Sequence, residues 1–135
     1  MRRLSSVPRT GPRDNPHMEP TVYGIPNCDT VKKARAWLDA QGVPYRFHDF
    51  KKAGVPADRL AAWMREVGWE KLLNRQGTTW RKLDPAVQAQ ASDAAGAAAL
   101  MVAQPSVIKR PVVEWPDRTT VGFDPLLWQS HSAGR

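Results

Sequence analysis

Cysteine is nearly absent from this sequence, since Cys28 is the single cysteine among its 135 residues. One thiol cannot form an internal disulfide, which excludes a disulfide-stapled secreted scaffold and favours a reducing compartment. We therefore expect the protein in the cytoplasm. The cysteine and the three histidines show no metal-ligand spacing, so we expect neither a metal site nor a bound cofactor.

Long hydrophobic runs are also missing. No apolar stretch approaches the length that spans a bilayer, and the arginine-bearing N-terminus has no secretory apolar segment, so we expect no membrane association. The formal net charge is +7, but basic residues form no stripe with interleaved aromatics, and no zinc finger or recognition helix is present. Direct nucleic-acid binding is therefore not expected, and the basic excess suits a small anionic ligand or an acidic protein surface.

The length and composition fit one domain with a hydrophobic core. Residues 1–17 are rich in proline, serine, glycine and arginine without periodicity, so we predict a disordered N-terminal extension. Whether this extension is native stays open, because Met18 is an alternative start. We assign residues 18–130 to the folded domain and predict a frayed tail over residues 131–135.

The first half of the domain has the pattern of a strand, a helix and a parallel strand. A β-rich run over residues 21–25 stops at Pro26, and a helical pattern follows until Gly42. Alternation over residues 45–50 predicts a second strand, which a helical crossover makes parallel to the first.

The second half predicts a helical insert and then a hairpin. Helical patterns over residues 56–68 and 92–104 flank a less regular stretch over residues 69–83. Residues 108–115 and 119–122 are predicted as paired strands, followed by a last short helix. This order predicts an α/β, thioredoxin-like fold: a mixed four-stranded sheet with a helical insertion between the second and third core strands.

Cys28 is the strongest candidate for chemistry, because it follows a strand and begins a helix. Unpaired backbone N–H groups and the positive end of the helix dipole favour a thiolate there. Lys32 and Arg35 follow at four and seven residues and add positive charge on the same face. The alternative is a buried structural cysteine. The strand-to-helix turn at Pro26 and Asn27 favours the reactive role.

Two arginines are candidates for anion binding. Arg110 precedes Pro111 at a strand entry, where a guanidinium can hold an oxyanion or carboxylate bidentately. A cis Pro111 would bring the backbone close to the thiol. The alternative is an ordinary exposed arginine and an edge-strand proline. Arg75 and the loop through Thr79 offer a guanidinium, amides and hydroxyls, a common loop composition that can also cradle an oxyanion.

Three stretches together resemble the signatures of the arsenate reductase/Spx (ArsC-like) family. They are residues 23–34 (YGIPNCDTVKKA), 72–83 (LLNRQGTTWRKL) and 108–113 (IKRPVV). The resemblance runs from about Thr21 to Trp128 and is nearest to a branch described as glutathione-dependent thiol reductases. It implies a thioredoxin-like fold, a nucleophilic Cys28 and glutathione as co-substrate.

In the arsenate reductases of this family, three arginines hold the arsenate that the cysteine attacks, and glutathione with glutaredoxin resolves the adduct. The resemblance places Arg110 on one of these arginines and Asn74 on the second, with Arg75 beside it. No arginine stands near Phe123 and Asp124, where the third falls. We therefore expect arsenate reduction to fail.

Spx regulators usually carry a Cys-x-x-Cys switch, and the position of its second cysteine holds Val31 here. Any oxidised form of Cys28 must be a sulfenic acid or a mixed disulfide with an external thiol. Three hypotheses result: a glutathione-dependent thiol reductase acting on small thiol or oxyanion substrates, an Spx-like regulator that binds RNA polymerase, and a glutaredoxin-coupled arsenate reductase. The predicted site comprises catalytic Cys28, anion-binding Arg110, Arg75, Lys32 and Asn74, and the neighbouring structural residues Asn27 and Pro111.

Overall fold

The computed structural model describes residues 19–133, so the predicted extension over residues 1–17 lies outside the described part. Four strands and eight α-helices follow one another in this part of the chain. Their bounds are β1 (Thr21–Gly24), α1 (Asp29–Ala40), β2 (Arg46–Asp49), α2 (Phe50–Ala53), α3 (Ala57–Val67), α4 (Trp69–Leu72), α5 (Thr78–Arg81), α6 (Pro85–Gln90), α7 (Ala94–Ala103), β3 (Val112–Glu114), β4 (Thr119–Val121) and α8 (Pro125–Ala133), with a 3-10 turn (Pro105–Val107) before β3.

The strands form one mixed sheet in the order β2-β1-β3-β4. β1 pairs parallel with β2, and the crossover between them is α1. β3 pairs antiparallel with both β1 and β4, so the last two strands form a hairpin. The helices α2–α7 are inserted between β2 and β3, which confirms the predicted thioredoxin-like α/β fold and the position of its insertion.

Each face of the sheet has its own hydrophobic core, because successive strand residues point to opposite faces. Val22 and Val113 face α1 and α8, whereas Tyr23 and Val112 face the helical insert. The insert-side core contains Tyr23, Ile25, Phe50, Leu60, Trp63, Leu72, Leu73, Ala91, Ala97, Leu100, Met101, Val107, Ile108 and Val112. The opposite core contains Val22, Ala34, Leu38, Val43, Val113, Trp115 and Trp128.

One carboxylate joins the insert to the sheet. Glu114 on β3 accepts hydrogen bonds from the Tyr23 hydroxyl at 2.9 Å and from the Trp63 indole N–H at 2.8 Å. Arg59 on α3 donates Nε–H to the same carboxylate at 2.7 Å and pairs with it ionically. Three donors from two elements therefore converge on Glu114, and we call this set the Glu114 latch.

The structure corrects the predicted strand boundaries. β2 ends at Asp49 because its carboxylate accepts the N–H of Lys51 and caps the short helix α2, so Phe50 is helical. β3 begins at Val112 rather than at residue 108. Ile108 instead bridges to Leu73 in the insert, so the residues before β3 pair with the insert rather than with the sheet.

Two further stretches have more regular structure than their sequence pattern indicates. The stretch over residues 69–83 contains the one-turn helices α4 and α5, which are too short to show a hydrophobic period. The last helix continues to Ala133, three residues into the predicted frayed tail, while residues 134 and 135 lie outside the described part. Between residues 19 and 133 the structure contains no helix long and apolar enough to cross a bilayer.

Candidate functional site

A tight turn places Cys28 between β1 and α1. The N–H of Cys28 donates to the carbonyl of Ile25 at 3.0 Å, which leaves Pro26 and Asn27 at the two central positions. Proline presets the dihedral of the first central position and asparagine is favoured in turns, so this sequence specifies the turn. Asn27 is exposed on the surface of this turn and directly precedes Cys28 in the chain.

Cys28 is the N-cap residue of α1, with an extended backbone (φ −76°, ψ 127°). Its carbonyl accepts the N–H of Lys32 at 2.9 Å, so the helix begins at the cysteine. The side chain is partly buried and packs against the insert-side core, while part of it remains exposed. The structure therefore places the thiol at a helix N-terminus, on a residue that is only partly buried.

The surroundings of the thiol lower its pKa. Partial burial opposes this, because desolvation raises the pKa of Cys28. The N–H of Val31, the Arg110 side chain as donor and as positive charge, and the N–H of Thr30 together outweigh desolvation, so the pKa falls below the ordinary thiol value. Main-chain donors and one guanidinium thus stabilise the thiolate.

Arg110 is positioned by main-chain carbonyls. Its Nη1 donates to the carbonyl of Ser106 at 2.7 Å and to that of Ile108 at 3.0 Å. Its Nε is buried and has no hydrogen-bond partner among the described residues. The Arg110–Pro111 peptide is cis, and Pro111 is buried. The anchored guanidinium therefore presents its charge to the thiol from a fixed place.

The segment around Asn74 is tied to the segment before Arg110. The N–H of Asn74 donates to the carbonyl of Val107, and the N–H of Lys109 donates to the carbonyl of Leu72, both at 2.7 Å. The Asn74 side-chain oxygen accepts the N–H of Gln76 at 3.2 Å, which turns the chain into the following loop. This pairing explains why the signature stretches around residues 74 and 110 meet in space.

Arg75 occupies a different place from Arg110. Its guanidinium lies over the rings of Trp69 and Trp80, at 5.6 and 5.8 Å from their centroids. Arg75 and Asn74 line a cavity of about 630 Å³. Neither Cys28 nor Arg110 contributes to its walls, which come from the insert, Lys109, Arg118, β4 and α8. We call this space the edge cavity.

Of the other predicted site residues, Lys32 has an exposed side chain on the first turn of α1, and its backbone N–H continues the helix from Cys28. Sequence reasoning missed the amides of Thr30 and Val31 as individual donors and the carbonyls of Ser106 and Ile108 that hold Arg110. The helix start signalled the amides, but no sequence pattern signalled the carbonyls. Among the side chains that the structure describes, no group of three or more could hold a metal ion.

Comparison with known proteins gives the family. The family model described as the ArsC family matches residues 23–130, which includes Cys28, Asn74 and Arg110. A solved YffB protein is 51% identical and superposes with a TM-score of 0.76, covering 83% of this chain and 97% of its own. An arsenate reductase (ArsC) related protein from Brucella melitensis is 50% identical with a TM-score of 0.67, covering 85% and 95%.

A regulator is found among the more distant relatives. The global transcriptional regulator Spx of Streptococcus pyogenes is 26% identical over 106 residues, which cover 77% of this chain and 78% of that protein. Proteins related to arsenate reductases and regulators therefore both share this fold and are similar to this chain in sequence. At the level of the family, the comparisons support a redox or regulatory role. With the thioredoxin-like sheet, the thiol at the start of α1 and the match over residues 23–130, the chain belongs to the ArsC family.

Proposed function

We propose that the protein is a glutathione-dependent thiol reductase in which Cys28 is the nucleophile. The observation that supports this most is the partly exposed thiol at the start of α1, whose pKa the amides of Val31 and Thr30 and the side chain of Arg110 lower. A thiolate, and not a thiol, attacks disulfide sulfur. A cysteine retained for packing alone would not need this surrounding charge.

The reaction proceeds by two exchanges. The Cys28 thiolate attacks one sulfur of a disulfide, so a Cys28–S–S–R bond forms, the original S–S bond breaks and R′–S⁻ leaves with the electron pair. A glutathione thiolate then attacks the substrate sulfur of this mixed disulfide, which restores the Cys28 thiolate and releases R–S–S–glutathione. One substrate disulfide is thereby exchanged. The glutathione thiol makes the second attack, which a second cysteine of the same chain makes in proteins that carry a Cys-x-x-Cys pair.

In this proposal Arg110 positions and stabilises the sulfur anion, before the attack and when Cys28 is the leaving group. The Arg110 side chain acts on the Cys28 thiol both as a hydrogen-bond donor and as a positive charge. Lys32, on the first turn of α1, is proposed to contact an anionic part of the substrate or of glutathione, and Asn74 and Arg75 only a part that reaches into the edge cavity. Glutaredoxin is a candidate protein donor of the second thiol.

The test combines alkylation with mass spectrometry. Iodoacetamide alkylation of Cys28 is measured against pH, and the protein is incubated with oxidised glutathione. We expect an alkylation profile displaced below that of free cysteine and a single glutathione adduct. Turnover of a small symmetric disulfide such as bis(2-hydroxyethyl) disulfide in the presence of glutathione should disappear in Cys28→Ser and persist in Arg81→Met, an exposed arginine on α5. An ordinary thiol pKa without adduct formation would refute the proposal.

A second candidate is an Spx-like regulator that binds RNA polymerase, which the relative from Streptococcus pyogenes favours. Cys28 is the single cysteine, so such binding would not depend on an internal disulfide. Capture of an RNA polymerase subunit by the full chain, unchanged in Cys28→Ser, would support this function. Glutathione turnover with no capture would exclude it in favour of the reductase.

Arsenate reduction is the third candidate, and the similarity to the arsenate reductase-related protein from Brucella melitensis favours testing it. Arg110 is the cation that acts on the thiol, whereas Phe123 and Asp124 occupy the place of a third arginine. Loss of one charged contact to a dianion costs about 1.5–3 kcal/mol. We therefore expect the chain not to rescue an arsenate-sensitive strain, and rescue would overturn this expectation.

A further inference from the structure

The outer edge of β4 is open within the part of the chain that the structure describes. β4 lies at the end of the sheet order, and no described strand pairs with its far side. The N–H of Trp115 donates to the carbonyl of Arg118 and that of Gly122 to the carbonyl of Pro111, which fixes the hydrogen-bonded positions of the hairpin. Because these positions alternate, the backbone groups of Thr119 and Val121 point outward.

The contact made by Thr119 agrees with this direction. Its N–H donates to the side-chain carboxylate of Glu66 on α3, at 2.6 Å. A carboxylate from the insert thus takes the place that a strand carbonyl would take, at one position of the edge. The carbonyl of Thr119 and both backbone groups of Val121 have no hydrogen-bond partner among the described residues; Thr119 is 9% exposed and Val121 is only half-buried.

The edge cavity lies along this open edge. All three residues of β4 line it, Val67 and Leu73 give it an apolar side, and its volume is about 630 Å³. Its charged lining is four cations and one carboxylate: Lys71, Arg75, Lys109, Arg118 and Glu70. This space therefore combines unpaired strand groups, apolar contact area and excess positive charge.

Most of these cations have no carboxylate partner in the described chain. Arg118 lies 3.7 Å from Asp117. No ion pair is formed by Lys71, Arg75 or Lys109 within residues 19–133, and the stacking of Arg75 on two tryptophan rings leaves its charge uncompensated. A ligand with carboxylates would supply the missing partners.

We infer that the β4 edge and the edge cavity bind an extended acidic peptide segment of another protein, which adds a strand to the sheet. Backbone groups of the peptide pair with Val121 and the carbonyl of Thr119, its acidic side chains meet the cations, and aliphatic residues between them contact Val67. Residues 1–17 are a poor occupant by charge, because they carry four arginines and one aspartate.

The experiment uses fluorescence anisotropy of the full chain with a labelled short peptide of alternating glutamate and valine. We expect saturable binding that weakens with salt and is absent for the lysine-valine counterpart. Methylating alternate amide nitrogens of the acidic peptide should abolish binding by removing strand hydrogen bonds while keeping the charge. Equal binding of the methylated peptide would show charge attraction alone and overturn the inference.

Charge-reversal variants locate the site. Lys71→Glu with Lys109→Glu should weaken peptide binding by roughly tenfold or more, because like charges then face the peptide. The matched control is Lys33→Glu with Lys52→Glu, two exposed lysines outside the cavity with the same change in net charge. Equal losses in the two variants would refute this location. Alkylation of Cys28 at its wild-type rate shows that each variant is folded.

The competing carboxylate gives a second, opposite effect. Glu66→Ala frees the N–H of Thr119 and removes a negative charge, so the acidic peptide should bind several-fold more tightly. Weaker binding in this variant would contradict strand addition. Sedimentation of the free chain tests the other occupant of an open edge: self-association that the acidic peptide does not reverse would assign the edge to a second copy and overturn the inference.

Discussion

Replacement of Glu114 by alanine tests how the helical insert, which carries Asn74 and Arg75, is attached to the sheet. The carboxylate accepts from the Tyr23 hydroxyl, the Trp63 indole and Arg59. Trp63 is fully buried and Tyr23 is 6% exposed, so both donors are largely shielded from bulk water when the acceptor is lost. Each buried donor left without a partner costs about 1–3 kcal/mol.

The ionic part of the latch contributes less. The Arg59 side chain is 44% exposed, and solvent screening limits such a pair to about 1 kcal/mol. Together these contributions predict that Glu114→Ala lowers the free energy of unfolding by about 2–7 kcal/mol. Glu114→Gln keeps an acceptor for Trp63, and its amide can donate to the Tyr23 hydroxyl, so its loss should be only about 1–2 kcal/mol.

Urea denaturation followed by tryptophan fluorescence measures both losses. The matched control is Glu70→Ala, the same substitution at an exposed position on α4, which should change stability by less than about 0.5 kcal/mol. If Glu114→Ala proves as stable as this control, the buried donors have found other partners and the latch does not hold the insert.

Three further substitutions probe the site and its frame. Arg110→Met should raise the pKa of Cys28 toward the ordinary thiol value and slow its alkylation at neutral pH; an unchanged pH profile would exclude the guanidinium as a cause. Gly24→Ala should cost about 1–3 kcal/mol, because the new Cβ would lie 2.8 Å from Val31, and Val31→Ala in the same chain should restore most of it in urea titrations. Burial, and then the hydrogen bond to the latch carboxylate, raise the pKa of Tyr23 above its unfolded value. Its contribution to stability is therefore complete below about pH 10 and lost as pH rises further, so the urea midpoint should fall less in Tyr23→Phe than in the wild type between neutral and alkaline pH, and equal falls would contradict this.

Local signals in the sequence were sufficient to predict the main strands and helices of the fold. The turn at Pro26 and Asn27, the helix that follows and the alternating strands are each specified by neighbouring residues. The start of β3 at Val112 was not predictable, since the preceding backbone pairs with Leu72 and Leu73, far away in sequence. The one-turn helices α4 and α5 were not predicted for a different reason: four residues are too few to show a helical period of hydrophobic residues.

The same division applies to the candidate site. A helix start after a strand predicts donors around Cys28 from local sequence alone. The anchoring of Arg110 depends on the carbonyl of Ser106 in the 3-10 turn and on that of Ile108 just after it. The edge position of β4 depends on the order of all four strands. Interactions set by topology had no local sequence signal, so the edge cavity was not predicted.

The adjacent cations Lys109 and Arg110 have different tasks because their side chains face different places. Arg110 acts on the thiol, while Lys109 lines the edge cavity, in which neither Cys28 nor Arg110 takes part. Thiol reactivity and peptide binding should then respond independently to substitution, with effects that add when Arg110→Met and Lys109→Glu are combined. Strong coupling between the two changes would instead mean that one ligand contacts both cations, and the thiol and the edge cavity would have to be treated as a single site.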